Sequence, residues 1–279
     1  MDTRFSQLNV AVDLQLWQEA FRSVEDLHAL MTLSKRPPKP ATMAIYYNHL
    51  HQIFLVGSNY LMHAAAYKKY FTMVIKSNLF KTMSADDRQQ LASSVLLSAL
   101  AVSIEITHPL KQGLLETEEQ RSRVHRLANL INIAKVPTRE TLIRDLVFVF
   151  CFERRNLKNI CICIFWTMQL SLDILEQASA EIRELYTVLE VQSNPLTLCK
   201  QLQPLLEKLK LNEKTSKYVS AIQHVALTRL LEQLSTMYKV SLISLSFFFL
   251  LSSTASSMIA TKNQTTQNHE DLIFITQYT

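Results

Sequence analysis

Histidines and cysteines are the residue types in this 279-residue chain that could hold a metal or drive a nucleophilic step. His49 and His51 invite the metal reading. Residues two apart on a helix point to different sides, so the pair cannot chelate one ion together. His63 falls on a separate predicted helix, and all three read as surface or packing residues. The four cysteines are Cys151, Cys161, Cys163 and Cys199. Three lie in one apolar stretch without a C-x-x-C pair, where a zinc site would want two such pairs or nearby histidines. They read as buried free thiols of a reducing compartment. Glu25-Asp26 and Asp86-Asp87 are adjacent acids of helix surfaces or helix starts, not an acid/base pair. No serine or cysteine stands in a nucleophile elbow. Asn263-Gln264-Thr265 matches a glycosylation sequon, but MDTRFSQLNV has no basic-then-apolar secretory pattern. The 2 glycines, Gly57 and Gly113, cannot build a Gly-rich phosphate loop. The reading is a chain with no catalytic residues, no metal, no cofactor and no small-molecule substrate.

Basic clusters are the chemistry that remains. The net charge is +5 with a pI near 9.0. The excess sits in residues 1–140, which hold 16 basic against 12 acidic residues. Lys35, Arg36 and Lys39 occupy a stiff proline loop, KRPPKP, that should be exposed. Arg121, Arg123 and Arg126 fall early on a predicted helix, with Lys135 and Arg139 near its far end. Lys68 and Lys69 form a third pair. Each cluster could contact phosphates or an acidic partner by charge, without sequence specificity. The plainer reading of each is a solvated helix surface. No aromatic residues interleave with them as stacking platforms.

The elements that must carry these clusters are helices. Composition is dominated by helix formers, and two glycines would not supply the positive-φ turns of an all-β protein. Leu8, Val12, Leu16, Ala20, Val24, Leu27 and Leu30 step by three and four, predicting one long helix over 8–33 or two in line. Three prolines stop it. Pro40 suits the first turn of a helix to about Val56, with Gly57 as its C-terminal cap. Further helices are predicted over Asn59–Ile75, over 85–103 behind a Ser84 cap, and from a Thr117/Gln120 capping box to about Ile133. Pro137-Thr138 opens another. Asp173–Val191 reads as one helix, Asn194-Pro195 caps one to about Lys210, and the last spans about Tyr218–Tyr238. Short linkers imply antiparallel hairpins stacked side by side, a TPR- or HEAT-like solenoid.

Two stretches stand apart. Residues 148–172 are apolar at both ends with a basic middle. Residues 241–279 open Ser/Phe-rich and end polar. The apolar core from Val240 to Leu251 is shorter than the ~20 residues of a membrane span. A tail anchor over Val240–Ala260 would require tolerating its serines and threonines.

Longer strings carry a resemblance. LWQEAFRSVEDLHALMTLSKRPPKPATMAIYYNHL closely resembles the A-subunit family of eukaryotic translation initiation factor 3, whose members carry a PCI domain. The order of landmarks agrees: the LWQEAF helix, the SK-x-PPKP loop and the MA-x-YYN helix. SSVLLSALAV (93–102), RLANLINIAKVPTRETLIRDLV (126–147), ELYTVLEVQSNPLTLC (184–199) and TRLLEQLSTMY (228–238) fit as well. The resemblance covers about 1–147 and 173–239. It implies an all-α, non-enzymatic scaffold: a helical-repeat array over 1–110, then the helical part of a PCI domain over 111–240. It further implies pairing with other subunits of the factor, above all the PCI-containing C subunit. Recruitment of mRNA and docking on the small ribosomal subunit, in the cytoplasm, are implied as well. Lys35, Arg36, Lys39, Arg121, Arg123 and Arg126 are the expected contacts to RNA or acidic partners.

The segment 148–172 has no counterpart in that pattern. After Tyr238 the expected winged helix gives way to the atypical tail, so the PCI domain reads as incomplete and the chain as a central fragment. Both foreign stretches follow a valine, Val147 and Val240, whose codons begin with the GT that also begins introns. Translated intron sequence is therefore expected there; clean transcript coverage through both stretches at normal abundance would sink the idea. The competing readings are a stand-alone helical RNA- or protein-binding module and a truncated variant without function.

Overall fold

A computed structural model describes residues 2–34, 38–77, 79–104, 118–147, 174–191, 195 and 197–237. The segment 148–172, with Cys151, Cys161 and Cys163, lies outside the described residues. So do the tail 241–279 and the candidate tail anchor. Among the described residues every regular element is helical. The order is α1 (Asp2–Asp13), α2 (Trp17–Leu33), α3 (Pro40–Val56), α4 (Tyr60–Lys76), α5 (Leu79–Thr82), α6 (Ala85–Leu100), α7 (Glu118–Leu130) and α8 (Arg139–Val147). Then follow α9 (Ile174–Gln177), α10 (Ala180–Tyr186) with a π turn at Thr187–Val191, α11 (Leu198–Leu211), α12 (Glu213–Ser216) and α13 (Val219–Met237). The architecture is the expected all-α stack of helical hairpins.

Several boundaries obey local rules. Pro40 opens α3. The Asn59 side chain accepts from the Met62 amide at the start of α4, and Ser84 from the Asp87 amide at the start of α6. Two expectations need correcting. The stretch 8–33 is neither one helix nor two in line. Gln15 takes φ 58°, and the amides of Gln15 and Leu16 close back on the carbonyls of Val12 and Ala11, so the chain reverses. Arg4 then stands 3.5 Å from Asp26, and Phe5, Leu8 and Ala11 share a core with Ala20, Val24 and Leu27. Likewise Asp173–Val191 is not one helix. It breaks before Ser179, whose amide donates to Ser93 Oγ at 2.9 Å instead of to its own helix.

Gly57 ends α3, but its φ is −70°. The left-handed position falls on Ser58, φ 56°, and at the end of α7 on Asn132, φ 56°. A chain this poor in glycine closes its helices with Gln, Ser and Asn in the left-handed conformation, at a cost of about 1 kcal/mol each.

Two apolar cores result. The first gathers α1, α2, α3, the first half of α4, and α7 around Leu8, Leu27, Leu50, Phe54, Met62, Leu127 and Ile131. The second gathers the end of α4 with α6, α8, α9, α10, the π turn, α11 and α13. Its axis is α6, where Leu91, Ala92, Val95, Leu96, Leu97, Ala99 and Leu100 are all buried. A helix covered on most sides belongs at the centre of a stack.

Candidate functional site

The expected contact residues divide by environment. Lys39 is exposed just before α3. Lys35, Arg36 and the Arg121 side chain lie outside the described residues. Arg123 is half-buried on α7, and Arg126, exposed on the same helix, approaches Glu25 of α2 at 3.9 Å. Lys68 pairs with Asp145 of α8, and Lys69 leans toward the Asn132 carbonyl at 3.5 Å. Burial, with Lys68 and Lys76 nearby, holds the Lys69 ammonium below its usual range. Arg139 is not a surface cation: its side chain is 9% exposed. Thus Arg126, Lys68 and Arg139 are engaged within the chain, while Lys39 keeps its charge to solvent. Glu25 and Asp26, read as a solvated face, are the ion-pair partners of Arg126 and Arg4.

The strings that carry the resemblance prove to be one another's packing partners. Tyr46 and Tyr47, from MA-x-YYN, are almost fully buried in α3. Their hydroxyls donate to the carbonyls of Leu130 and Ile131, at 3.0 and 3.3 Å. Those carbonyls end α7 and have no intrahelical partners, so the tyrosines supply what the helix cannot. Asn132 Nδ2 donates to the Tyr47 oxygen at 3.2 Å and completes the latch. Burial raises the Tyr46 hydroxyl above its ordinary range, and Tyr47 moves the same way. Both stay neutral donors.

A second junction is ionic. Arg139 (α8) donates through Nε to the Val102 carbonyl at 2.9 Å and through Nη2 to Glu190 Oε1. Arg229 (α13) takes the other carboxylate oxygen at 2.7 Å. Glu190 sits on the π turn with its side chain 15% exposed. Three strings (126–147, 184–199 and 228–238) therefore meet at one carboxylate.

A third junction binds the two cores. His63 is wholly buried in α4. Its Nδ1 lies 2.7 Å from the His51 carbonyl, so that nitrogen carries the proton. Nε2 is then the acceptor for the Tyr218 hydroxyl, 2.8 Å away. The ring is neutral, and burial lowers its pKa to about 4. His51 stacks on Tyr67 with ring centres 4.2 Å apart. Burial, then His63 and His49, push its pKa well below the ordinary value. His51 and His63 are packing groups, as expected, although nothing in their spacing hints that their rings meet 5.4 Å apart. His49 bonds Asn9 of α1. No group of three metal-ligating side chains occurs among the described residues. Cys199 corrects an expectation: it is a free thiol, but exposed rather than buried.

Sequence reasoning misses all three junctions because their partners come from helices far apart in the chain. The tyrosine pair and Arg139 carry no local mark of their partners.

Comparisons with known proteins agree with this architecture. The family model for "eIF3a, PCI domain, TPR-like region" matches residues 1–165. The A subunit of eukaryotic translation initiation factor 3 from Schizosaccharomyces pombe is 43% identical over 238 residues, covering 85% of this chain and 22% of that protein. The proteins of the same name from Emericella nidulans and Chaetomium globosum are 41% and 39% identical over 251 residues, each covering 86% of this chain and 22% of the relative. The chain spans 22% of the length of these curated relatives. With the family model covering more than half of its residues, the chain belongs to the eIF3a family, in the PCI domain and TPR-like region.

Proposed function

We propose that this chain is a non-catalytic scaffold segment of translation initiation factor 3. It assembles the factor through its PCI region, and its main partner is the PCI-containing C subunit. It supports recruitment of mRNA in the cytoplasm and docking on the small ribosomal subunit. The observation that carries this reading is that the strings shared with the family form the latches between helices. Tyr46 and Tyr47 hold the end of α7, and Glu190 joins α8 to α13. Such latches fix the relative placement of hairpins, and stacked hairpins present long surfaces to partner proteins. No helix among the described residues is long and apolar enough to cross a membrane. Lys35, Arg36, Lys39, Arg121, Arg123 and Arg126 serve as auxiliary contacts to RNA or acidic partners; of those described, Lys39 and Arg126 are exposed.

The test is a tagged pull-down at moderate salt, with and without RNase. Co-purification of other subunits of the factor that survives RNase is the expected result. A soluble, folded chain that brings down none of them refutes the scaffold reading. Loss of the subunits on RNase treatment moves the function to RNA.

A further inference from the structure

Between the two cores, lined in part by His51, Tyr67 and Tyr218 of the third junction, lies an open cleft of about 750 Å³. One rim is the left-handed turn after α1, with Val12, Asp13 and Trp17. The floor is α3 and α4, with His51, Leu55, Tyr67 and Tyr70; the other rim is α6 and α12, with Leu91, Lys214 and Lys217. The volume lies in the range of specific ligand sites.

We propose that this cleft is a docking site for a short linear segment of a partner protein. That segment carries an aromatic anchor with an acidic flank on one side and a basic flank on the other. The lining dictates each part. Trp17 and Tyr70 are only half-buried, and with Val12 and Leu55 they give the cleft an apolar lining that suits an aromatic side chain, while Tyr67 is stacked on His51. Lys214 and Lys217 are exposed on one rim. Lys214 donates to the neutral Gln90 at 3.1 Å, which leaves its charge uncompensated by that bond. They take the acidic flank. Asp13 is exposed on the opposite rim and takes the basic one. Asp87, also on the lining, is already bonded to Ser84 at its helix start. Beneath the cleft, His51 Nδ1 is a buried acceptor without a partner.

A nucleic acid fits less well. Its phosphates would meet Asp13 and Asp87 as well as the two lysines, so the lining offers no net positive charge. The peptide assay contains no other subunit of the factor, and the pull-down contains no peptide, so failure of this proposal and failure of the scaffold reading are read separately.

The experiment uses the whole chain and labelled synthetic peptides read by fluorescence anisotropy. Two probes place a central Trp-Leu between a Glu-Glu flank and an Arg-Arg flank, in either order. A third carries Arg-Arg on both sides, and a labelled oligouridine completes the set. The expected result is binding of at least one mixed peptide. Lys214→Glu with Lys217→Glu should weaken it about tenfold or more, and Asp13→Lys should weaken it comparably. The double Lys→Glu variant should in turn bind the all-basic peptide better than the wild type does. These residues are exposed, so the substitutions leave the cores intact. Four outcomes overturn the proposal: no mixed peptide binding at about 1 mM, binding that survives both sets of substitutions, no gain of the all-basic peptide by the double variant, or oligouridine binding at these lysines in place of peptide.

Discussion

The two cores are fastened differently. The first, around α3, is closed by neutral bonds: two tyrosine hydroxyls cap the carbonyls that end α7. The second, around α6, is closed by a carboxylate held between two guanidinium groups. A neutral latch loses about one hydrogen bond when broken, whereas a buried ion left alone keeps its full desolvation penalty. The second core should therefore be the brittle one. It is also the one that contains the region expected to pair with other subunits.

The largest effect follows from that brittleness. Glu190→Ala leaves Arg139 buried without its partner and should cost about 3–5 kcal/mol, read by urea denaturation. Hydrogen exchange should show the loss in α8 and α13 before it reaches α3. Equal loss in both cores would erase the distinction drawn between them.

The seam between the cores makes a pH prediction. His63 has a folded pKa of about 4 against an ordinary 6.5. The unfolded chain therefore takes up this proton first as pH falls. The stabilisation is complete above about pH 6.5 and is lost progressively toward pH 4, on the order of 3 kcal/mol from this ring. His51, buried beside it, shifts in the same direction. The groups bonded to His63 are the His51 carbonyl and the Tyr218 hydroxyl; burial lowers the pKa more than the bond to the carbonyl raises it. Denaturation curves from about pH 7 to about pH 4.5 should show this slope, and His63→Leu should flatten it. Tyr218→Phe should cost about 1–3 kcal/mol by leaving Nε2 unsatisfied.

In the first core, Tyr46→Phe should cost only about 0.5–1.5 kcal/mol, the net worth of one hydrogen bond. A larger loss there than from Glu190→Ala would reverse the comparison. Ser58→Gly should act the other way and raise the melting temperature, worth about 0.4–1 kcal/mol, because glycine meets φ 56° without a Cβ clash.

How much of this is legible in the sequence depends on where the cause lies. Ser84, Asn59 and Pro40 act on their own helix starts, and those starts fall where the sequence puts them. The turn at Gln15 is hidden because its left-handed residue is not a glycine, so 8–33 reads as continuous. The break before Ser179 is hidden because the amide's partner, Ser93, lies 86 residues away. Similar distances hide the ion pairs. Lys68 and Arg126 look like free surface charge until Asp145 and Glu25 arrive from other helices. The cleft escapes notice altogether, because Trp17, Tyr67 and Lys217 share no local pattern. What survives best is family membership: the strings read as strings of the family are the ones that touch.

Binding of the purified C subunit to the purified chain, measured by calorimetry for the wild type and for Glu190→Ala, is the most direct test of the scaffold account. The account predicts that the wild type binds at salt high enough to screen exposed charge, and that the variant, its second core loosened, loses that binding. A folded wild type that does not bind, or a variant with an opened second core that binds undiminished, would contradict it.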